Sequence, residues 1–525
     1  MDSLSPRTRR SPALGPLSRR RFLGAAGLSG AVLLTGCGAG STAREAGPPT
    51  HGGVLRIGVT GGGSSDSLDP HTPATNPDIA RTLSLYEPLL HWDDAYTLQP
   101  AVAESVEPSE GAQVWTATIR RDIRFHDGRP VTPDDVVATF RRILDPADPK
   151  SGASSLTIVR DVTVAGDRQV RFTLSEASPV FDQYLAEYGN GIVPANFTLD
   201  APIGTGAFRY SSFSPGQQSV FLRNEHYWRP NEPYVDRLEL INFQEDDARV
   251  NALLSAQVDA IDQVPLALTG VMAAYDTVRV LTSPTAAWLP FTMRVDVPPF
   301  DDVRVRQALR LIAGRHELVN QVLSGQGSTA NDLYSRFDRD YLRSVPNREQ
   351  DLAHAKDLLA AAGKPRLSLE LVTSPIQAGT VEAAQVFAGQ AKAAGVEIGL
   401  RRVDTSTFFS DQYLSWEFAQ SFWNTRNYLP QAANSSMPEA PFNETHWTDP
   451  EYVGLIRRAR SELDPTRRAE LTEAAQRIEY DRGGYLIWSF PDRVDAAQSY
   501  IGGLVPNRTG LSLSGYEFRK VWVGR

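Results

Sequence analysis

Apolar positions along the chain switch between two periods. Val54, Ile57 and Val59 open a strand pattern. From Val114 to Phe125 the residues alternate: Trp115, Ala117 and Ile119 share one face, and Ile123 with Phe125 resumes it. Val162 to Leu174 reads as a hairpin turning at Gly166-Asp167. Thr132, Pro133 and Asp135 form a capping box, and Val136, Phe140, Ile143 and Leu144 then make one helical face that Pro146 stops. Further helices follow Asp302 (Val305, Leu309, Ile312, Ala313), run from Leu352 to Gly363, and run from Ala384 to Gly395. A strand with Val396, Ile398 and Leu400 comes directly after the last of these. A final helix starts at Asp464-Pro465 and carries Leu471, Ala474, Ala475 and Ile478. The first half is richer in strands and the second in helices, which predicts an α/β protein with two lobes of different texture.

Composition narrows the class. The 525 residues suggest about three domains. With 41% hydrophobic residues there is enough apolar material for packed cores. The net charge of −9 argues against a nucleic-acid binder, which needs a basic stripe. One cysteine excludes a disulfide framework and multi-cysteine metal sites. No segment after the leader reaches 18 consecutive apolar residues, and no repeat of 20–50 residues is visible.

The charge is uneven. Residues 1–36 hold Arg7, Arg9, Arg10, Arg19, Arg20 and Arg21 against the single acid Asp2, so the remaining body is more acidic than the whole. A short apolar run from Phe22 to Thr35 follows, the pattern of an export signal. Ser18-Arg19-Arg20-Arg21-Phe22-Leu23 resembles the twin-arginine export motif. Leu34-Thr35-Gly36-Cys37 resembles a bacterial lipobox, with Cys37 as the lipidation site and two acyl chains as a stable anchor. Residues 37–53, rich in Gly, Pro, Ser and Thr, read as a flexible tether.

Catalytic signatures are missing. The chain has no G-x-S-x-G elbow, H-E-x-x-H motif, P-loop or EF-hand loop, and no two of its eight histidines stand three or four residues apart. Gly61-Gly62-Gly63 reads as a loop and lacks nucleotide-binding spacing. No metal site or cofactor is expected.

The run "WTATIRRDIRFHDGRPVTPDDVVATF", Trp115 to Phe140, resembles the signature of the extracellular solute-binding proteins of ABC importers, family 5, the peptide/nickel type. "PIGTGAF" (Pro202 to Phe208), "RNEHYW" (Arg223 to Trp228), "LLSAQVDAID" (Leu253 to Asp262) and "PPFDDVRVRQAL" (Pro298 to Leu309) are similar to further blocks of that family. Most of these residues suit turns and caps, so they are expected to hold the fold and not to touch a ligand. The resemblance implies a two-lobed periplasmic-binding-protein-like fold: lobe I over 54–285 with an extra subdomain at about 90–200, lobe II over 286–489, and a return to lobe I over 490–525. It implies a monomeric receptor, lipid-anchored outside the cytoplasmic membrane, that closes on a small solute and delivers it to a permease served by a separate ATPase.

The same resemblance points to cleft residues. Peptide-binding relatives carry a Trp followed three residues later by an Asp that pairs with the peptide's ammonium. Here "SFWNTRNYLP" (Ser421 to Pro430) has Trp423 but Arg426 in the acidic position. An arginine suits a carboxylate or phosphate, which favours an acidic or acyl-type solute, or a sugar on aromatics; the alternative is a small register shift with Arg426 on the surface. Asn424, Asn427, Tyr428, Trp288, Phe291 and Tyr86 complete the candidate set. Two rival readings are a secreted hydrolase, for which no activated nucleophile is visible, and a surface or signalling lipoprotein that does not transport.

Overall fold

The strand Val54–Thr60 stands at the centre of the largest sheet because its alternate residues Leu55, Ile57 and Val59 are fully buried. It pairs in parallel with Arg237–Phe243 on one side and Ala260–Ile261 on the other. The computed structural model describes residues 46–148 and 150–524. Cys37, the twin-arginine motif and the first part of the tether lie outside the described residues. The full order of this seven-stranded sheet is Val278–Ser283, Arg493–Gln498, Ala260–Ile261, Val54–Thr60, Arg237–Phe243, Gln218–Arg223 and Phe208–Ser214.

A second, antiparallel sheet runs Gly327–Thr329, Tyr485–Pro491, Leu289–Met293 and Phe418–Gln420. The parallel pair Leu367–Thr373 and Val396–Arg402 is joined by the helix Thr380–Lys392, a βαβ unit whose helix buries Ala384, Phe387, Ala388 and Ala391. The chain passes from the first sheet to the second between Ser283 and Leu289, and back between Pro491 and Arg493. Two short crossings thus connect two α/β lobes, the architecture that the alternation of elements predicted.

A separate four-stranded antiparallel sheet, in the order Ala103–Ser109, Val114–Ile119, Gln169–Leu174 and Val159–Gly166, sits within the first lobe's sequence. The helix Pro133–Ile143 packs on it. Its capping box is present: the Thr132 hydroxyl accepts from the Asp135 N–H, and the Asp135 carboxylate accepts from the Thr132 N–H. Phe140 meets Phe172 edge-on at 4.8 Å in the core between them. Two local expectations shift. The strand Val159–Gly166 runs through Gly166, which pairs with Gln169, so the hairpin turns one residue later at Asp167-Arg168. Ile123 and Phe125 are buried but belong to a turn, closed by the Gly128 N–H on the Phe125 carbonyl at 2.8 Å with Gly128 at φ 86°.

The signature blocks are bolted to each other. His126 Nδ1 accepts from the Gly204 N–H at 3.2 Å, and its Nε2–H points at the Gly206 carbonyl at 3.1 Å. That pairing assigns the proton to Nε2, and burial holds the imidazole neutral by bringing its pKa down to about 4. A Cβ at Gly204 would lie 2.1 Å from the Leu85 carbonyl oxygen, which is why the backbones can approach only at glycine. Asn224 donates to the Gly206 carbonyl, and Trp228 and Tyr227 donate to Glu87. Asp259 and Asp262 accept from the Arg56 and Thr60 N–H groups, pinning the edge of the first strand. The side-chain polar groups of the block residues His126, Asn224, Tyr227, Trp228, Asp259 and Asp262 are thus engaged within the protein. Among the described residues, no helix is long and apolar enough to cross a membrane, and no cluster of three or more His, Cys, Asp or Glu could hold a metal.

Candidate functional site

Between the two lobes lies a cavity of about 1160 Å³, counted out to its open mouth. Lobe I supplies the helix Asn76–Leu85 through Asn76, Ile79 and Leu83, the hairpin tip around Trp92 and Tyr96, the segment Ala186 to Tyr188, and Arg493 with the C-terminal residues 509–517. Lobe II supplies Asn424, Thr425 and Arg426. A cleft at a domain interface is a usual place for a small-molecule site, and this wall mixes apolar residues with many polar and charged ones.

A stack of four rings explains why the lobe II segment reaches the cavity. Tyr428, Tyr334, Trp288 and Trp423 lie face to face, with centroids 4.9, 5.1 and 5.7 Å apart and interplanar angles of 20° or less. Trp288 and Trp423 also exchange backbone hydrogen bonds at 3.0 and 3.1 Å. The Tyr428 hydroxyl donates to buried Glu479 at 2.6 Å, and Trp423 Nε1–H lies 3.4 Å from buried Glu444. Both ends of the segment 424–427 are therefore fastened in lobe II, and its middle is presented to lobe I.

Each candidate residue now has a place. Asn424 and Arg426 line the cavity. Asn427 donates to Gln183 at 3.0 Å, a hydrogen bond from lobe II to the subdomain. Trp423, Tyr428 and Trp288 are buried in the stack and do not line the cavity. Phe291 is fully buried in the core of lobe II, stacked on Phe387 at 4.6 Å. Tyr86 is buried in lobe I, donating to the Leu68 carbonyl at 2.9 Å. Of the eight, the structure brings two to the cavity wall.

The wall also holds residues that local spacing gave no signal for. Glu187 is the most informative. Burial pushes its carboxyl above the ordinary carboxylate range, and the positive Arg426 guanidinium offsets part of that rise. Among the described residues, neither the Glu187 carboxylate nor the Arg426 guanidinium has a hydrogen bond or ion pair. Arg493 donates to the Gly510 carbonyl at 3.2 Å, and the remaining charged groups of the wall pair within the protein. Asp94 pairs with Lys520 at 3.3 Å, and Glu517 pairs with Arg519 at 2.5 Å and with Lys520. Burial raises Glu517, but Arg519 and Lys520 outweigh it and bring its carboxyl down to about 2. His91 accepts from Arg229 at 3.2 Å, and burial lowers its pKa to about 4, so it is neutral. Among the described residues, Glu187 from lobe I and Arg426 from lobe II are thus the charged side chains of the wall with no hydrogen bond or ion pair. Arg426 read alone favoured an anionic solute; with Glu187 in the same cavity the two signs stand together.

Direct contacts hold the lobes together around this space. Arg460 reaches Glu176 at 2.6 Å, and the Arg508 guanidinium lies 5.0 Å over the Phe337 ring.

The comparisons agree with this architecture. Periplasmic oligopeptide-binding protein OppA of Salmonella typhimurium is 27% identical over 460 residues, covering 80% of this chain and 84% of that protein. The structure of HbpA2 from Haemophilus parasuis superposes with a TM-score of 0.79 at 21% identity, over 90% of this chain and 100% of the other. DppA from Helicobacter pylori in complex with the peptide STSA does so with a TM-score of 0.74 at 19% identity, over 91% and 99%. The family model described as bacterial extracellular solute-binding proteins, family 5 Middle, matches residues 97–440. With its two lobes, its interlobe cavity and this match over most of its length, the chain belongs to the bacterial extracellular solute-binding proteins of family 5.

Proposed function

We propose that this solute-binding protein captures a zwitterionic, peptide-like solute between its lobes and hands it to the permease of an ABC importer, without chemical turnover. The observation that carries the reading is the Glu187–Arg426 pair of unsatisfied groups facing one cavity. Half-buried charges without a hydrogen-bonded partner lose water that nothing in the protein replaces, so a ligand that brings an ammonium to Glu187 and a carboxylate to Arg426 gains from both and draws the two lobes together. Oligopeptide- and peptide-binding relatives support the class of solute. Trialanine with free ends is expected to bind to the full chain in calorimetry. Acetylation of its N-terminus or amidation of its C-terminus is expected to weaken binding at least tenfold each, since each block removes one charge-assisted contact. The bound peptide should be recovered intact by mass spectrometry. Equal affinity for the blocked peptides would overturn the zwitterion reading, and hydrolysis over many turnovers would favour a secreted hydrolase.

In this reading lobe I spans 54–285 with its subdomain at about 90–200, lobe II spans 286–489, and the chain returns to lobe I over 490–525. The receptor acts as a monomer, exported through the twin-arginine signal and tethered by lipid on Cys37 outside the cytoplasmic membrane. Two acyl chains at about 0.8 kcal/mol per buried CH₂ make such an anchor stable. Cys37→Ser is expected to move the protein from the membrane pellet to the soluble fraction; retention in the pellet would remove the lipid anchor from this account.

A further inference from the structure

A second interlobe cavity, of about 1200 Å³ counted to its mouth, lies beside the first. Its walls include Pro179, Val180 and Gln183 of the subdomain and Phe337, Asn427 and Leu429 of lobe II. Two residues line both cavities, Trp92 and Tyr96. Their rings are stacked, 4.3 Å apart and 16° from parallel.

The hairpin that carries them is built to hold this pose. The strands Leu90–Trp92 and Leu98–Pro100 are joined by residues 93–97. Asp93 organises the loop: one carboxylate oxygen accepts from the Ala95 and Thr97 N–H groups at 3.0 and 2.8 Å, and the other accepts from Gln99 at 2.9 Å. Tyr96 sits at φ 63°, in the left-handed region that a bulky aromatic residue rarely adopts. An aromatic side chain stands where glycine or asparagine would fit with less strain, which directs attention to what its ring does. Burial and the Glu187 carboxylate, in that order, raise the pKa of its phenol, so the ring is neutral and within electrostatic reach of the charged pair.

We infer that the stacked Trp92–Tyr96 pair is the partition that sets ligand length. With the pair in place, the solute is confined to the compartment that holds Glu187 and Arg426. Removing the Tyr96 ring joins that compartment to the second one and gives the chain of a longer ligand somewhere to go. The inference rests on the peptide-like reading of the site.

The test is the affinity of di-, tri-, tetra- and penta-alanine, measured by calorimetry on the full chain. Tyr96→Gly, which suits the left-handed backbone, is expected to raise the penta-alanine to dialanine affinity ratio at least tenfold, and Tyr96→Phe to leave it unchanged. Tyr96→Asn, which also tolerates positive φ, serves as a second variant and should behave as the glycine variant does. A ratio within twofold of wild type in variants that still bind peptide would overturn the partition alone. If the wild-type chain binds none of the four peptides, the zwitterionic reading falls and the partition falls with it.

Discussion

Asp332→Ala is expected to destabilise the protein by about 3–5 kcal/mol, the cost of leaving a buried cation without its partner. Asp332 is buried among three arginines of lobe II. Both of its carboxylate oxygens accept from Arg315 Nη2 at 2.8 Å, and the carboxylate also accepts from Arg348 at 2.6 Å and from the Ile487 N–H at 2.9 Å. Arg310 lies close by, fully buried, donating to the carbonyls of Tyr480, Gly483 and Tyr485. Burial raises the Asp332 carboxyl, but Arg315, Arg348 and Arg310 together outweigh burial and bring it below the ordinary aspartate value of 3.8. The sign follows: a depressed pKa contributes stability above the unfolded value, and that stability is lost as pH falls below about 3.8. Urea unfolding at pH 7 should therefore separate wild type from the variant widely, and the gap should close in strong acid. A difference under about 1 kcal/mol at pH 7 would mean that the arginines find other partners or water.

Arg426→Ala is expected to weaken binding of a free-ended peptide by about 1.5–3 kcal/mol, roughly ten- to 150-fold in Kd. Its effect on folding should be small, because the guanidinium makes no hydrogen bond or ion pair with the described residues. The contrast between ligands is sharper than the loss itself. A C-terminally amidated peptide gives Arg426 no carboxylate to meet, so wild type and variant should bind it nearly alike. Calorimetry with both ligands and both proteins forms a cycle that isolates the pair. An equal loss for the two ligands would show that Arg426 acts on the shape of the cavity and not on the carboxylate.

Much of the fold is legible in the order of the residues. The capping box Thr132-Pro133-Asp135, the Asp464-Pro465 start and the helix–Gly–strand passage at Gly395 are local devices, in which a side chain or a glycine satisfies backbone groups a few residues away. Such contacts have nothing to do with the rest of the chain, so they can be read from neighbours in sequence. The family blocks are legible too, and the structure shows what engages their side chains: His126 is held by Gly204 and Gly206, and Tyr227 and Trp228 by Glu87.

The cavity is legible only in part. The motif around Trp423 points to a segment of lobe II whose residues Asn424 to Arg426 line the cavity, because that segment is anchored by aromatic residues a few positions apart. Which of its side chains face the cavity is not legible. Trp423 turns into a stack with Trp288, and Tyr428 reaches Glu479, since each finds a partner far away in sequence.

Periodicity and interactions over a few residues were enough to define the elements, their caps, the α/β class and the resemblance to the family. That Glu187 and Arg426 share a cavity, and that Trp92 and Tyr96 stand between two, came from the three-dimensional packing alone. The first pairing joins separate lobes across two chain crossings, and the second pair, though local in one hairpin, gains its place only from the cavities packed on either side, so no local spacing encodes either. The fold leaves these two charged groups without a hydrogen bond or ion pair among the described residues, and in the proposed reading a ligand completes them.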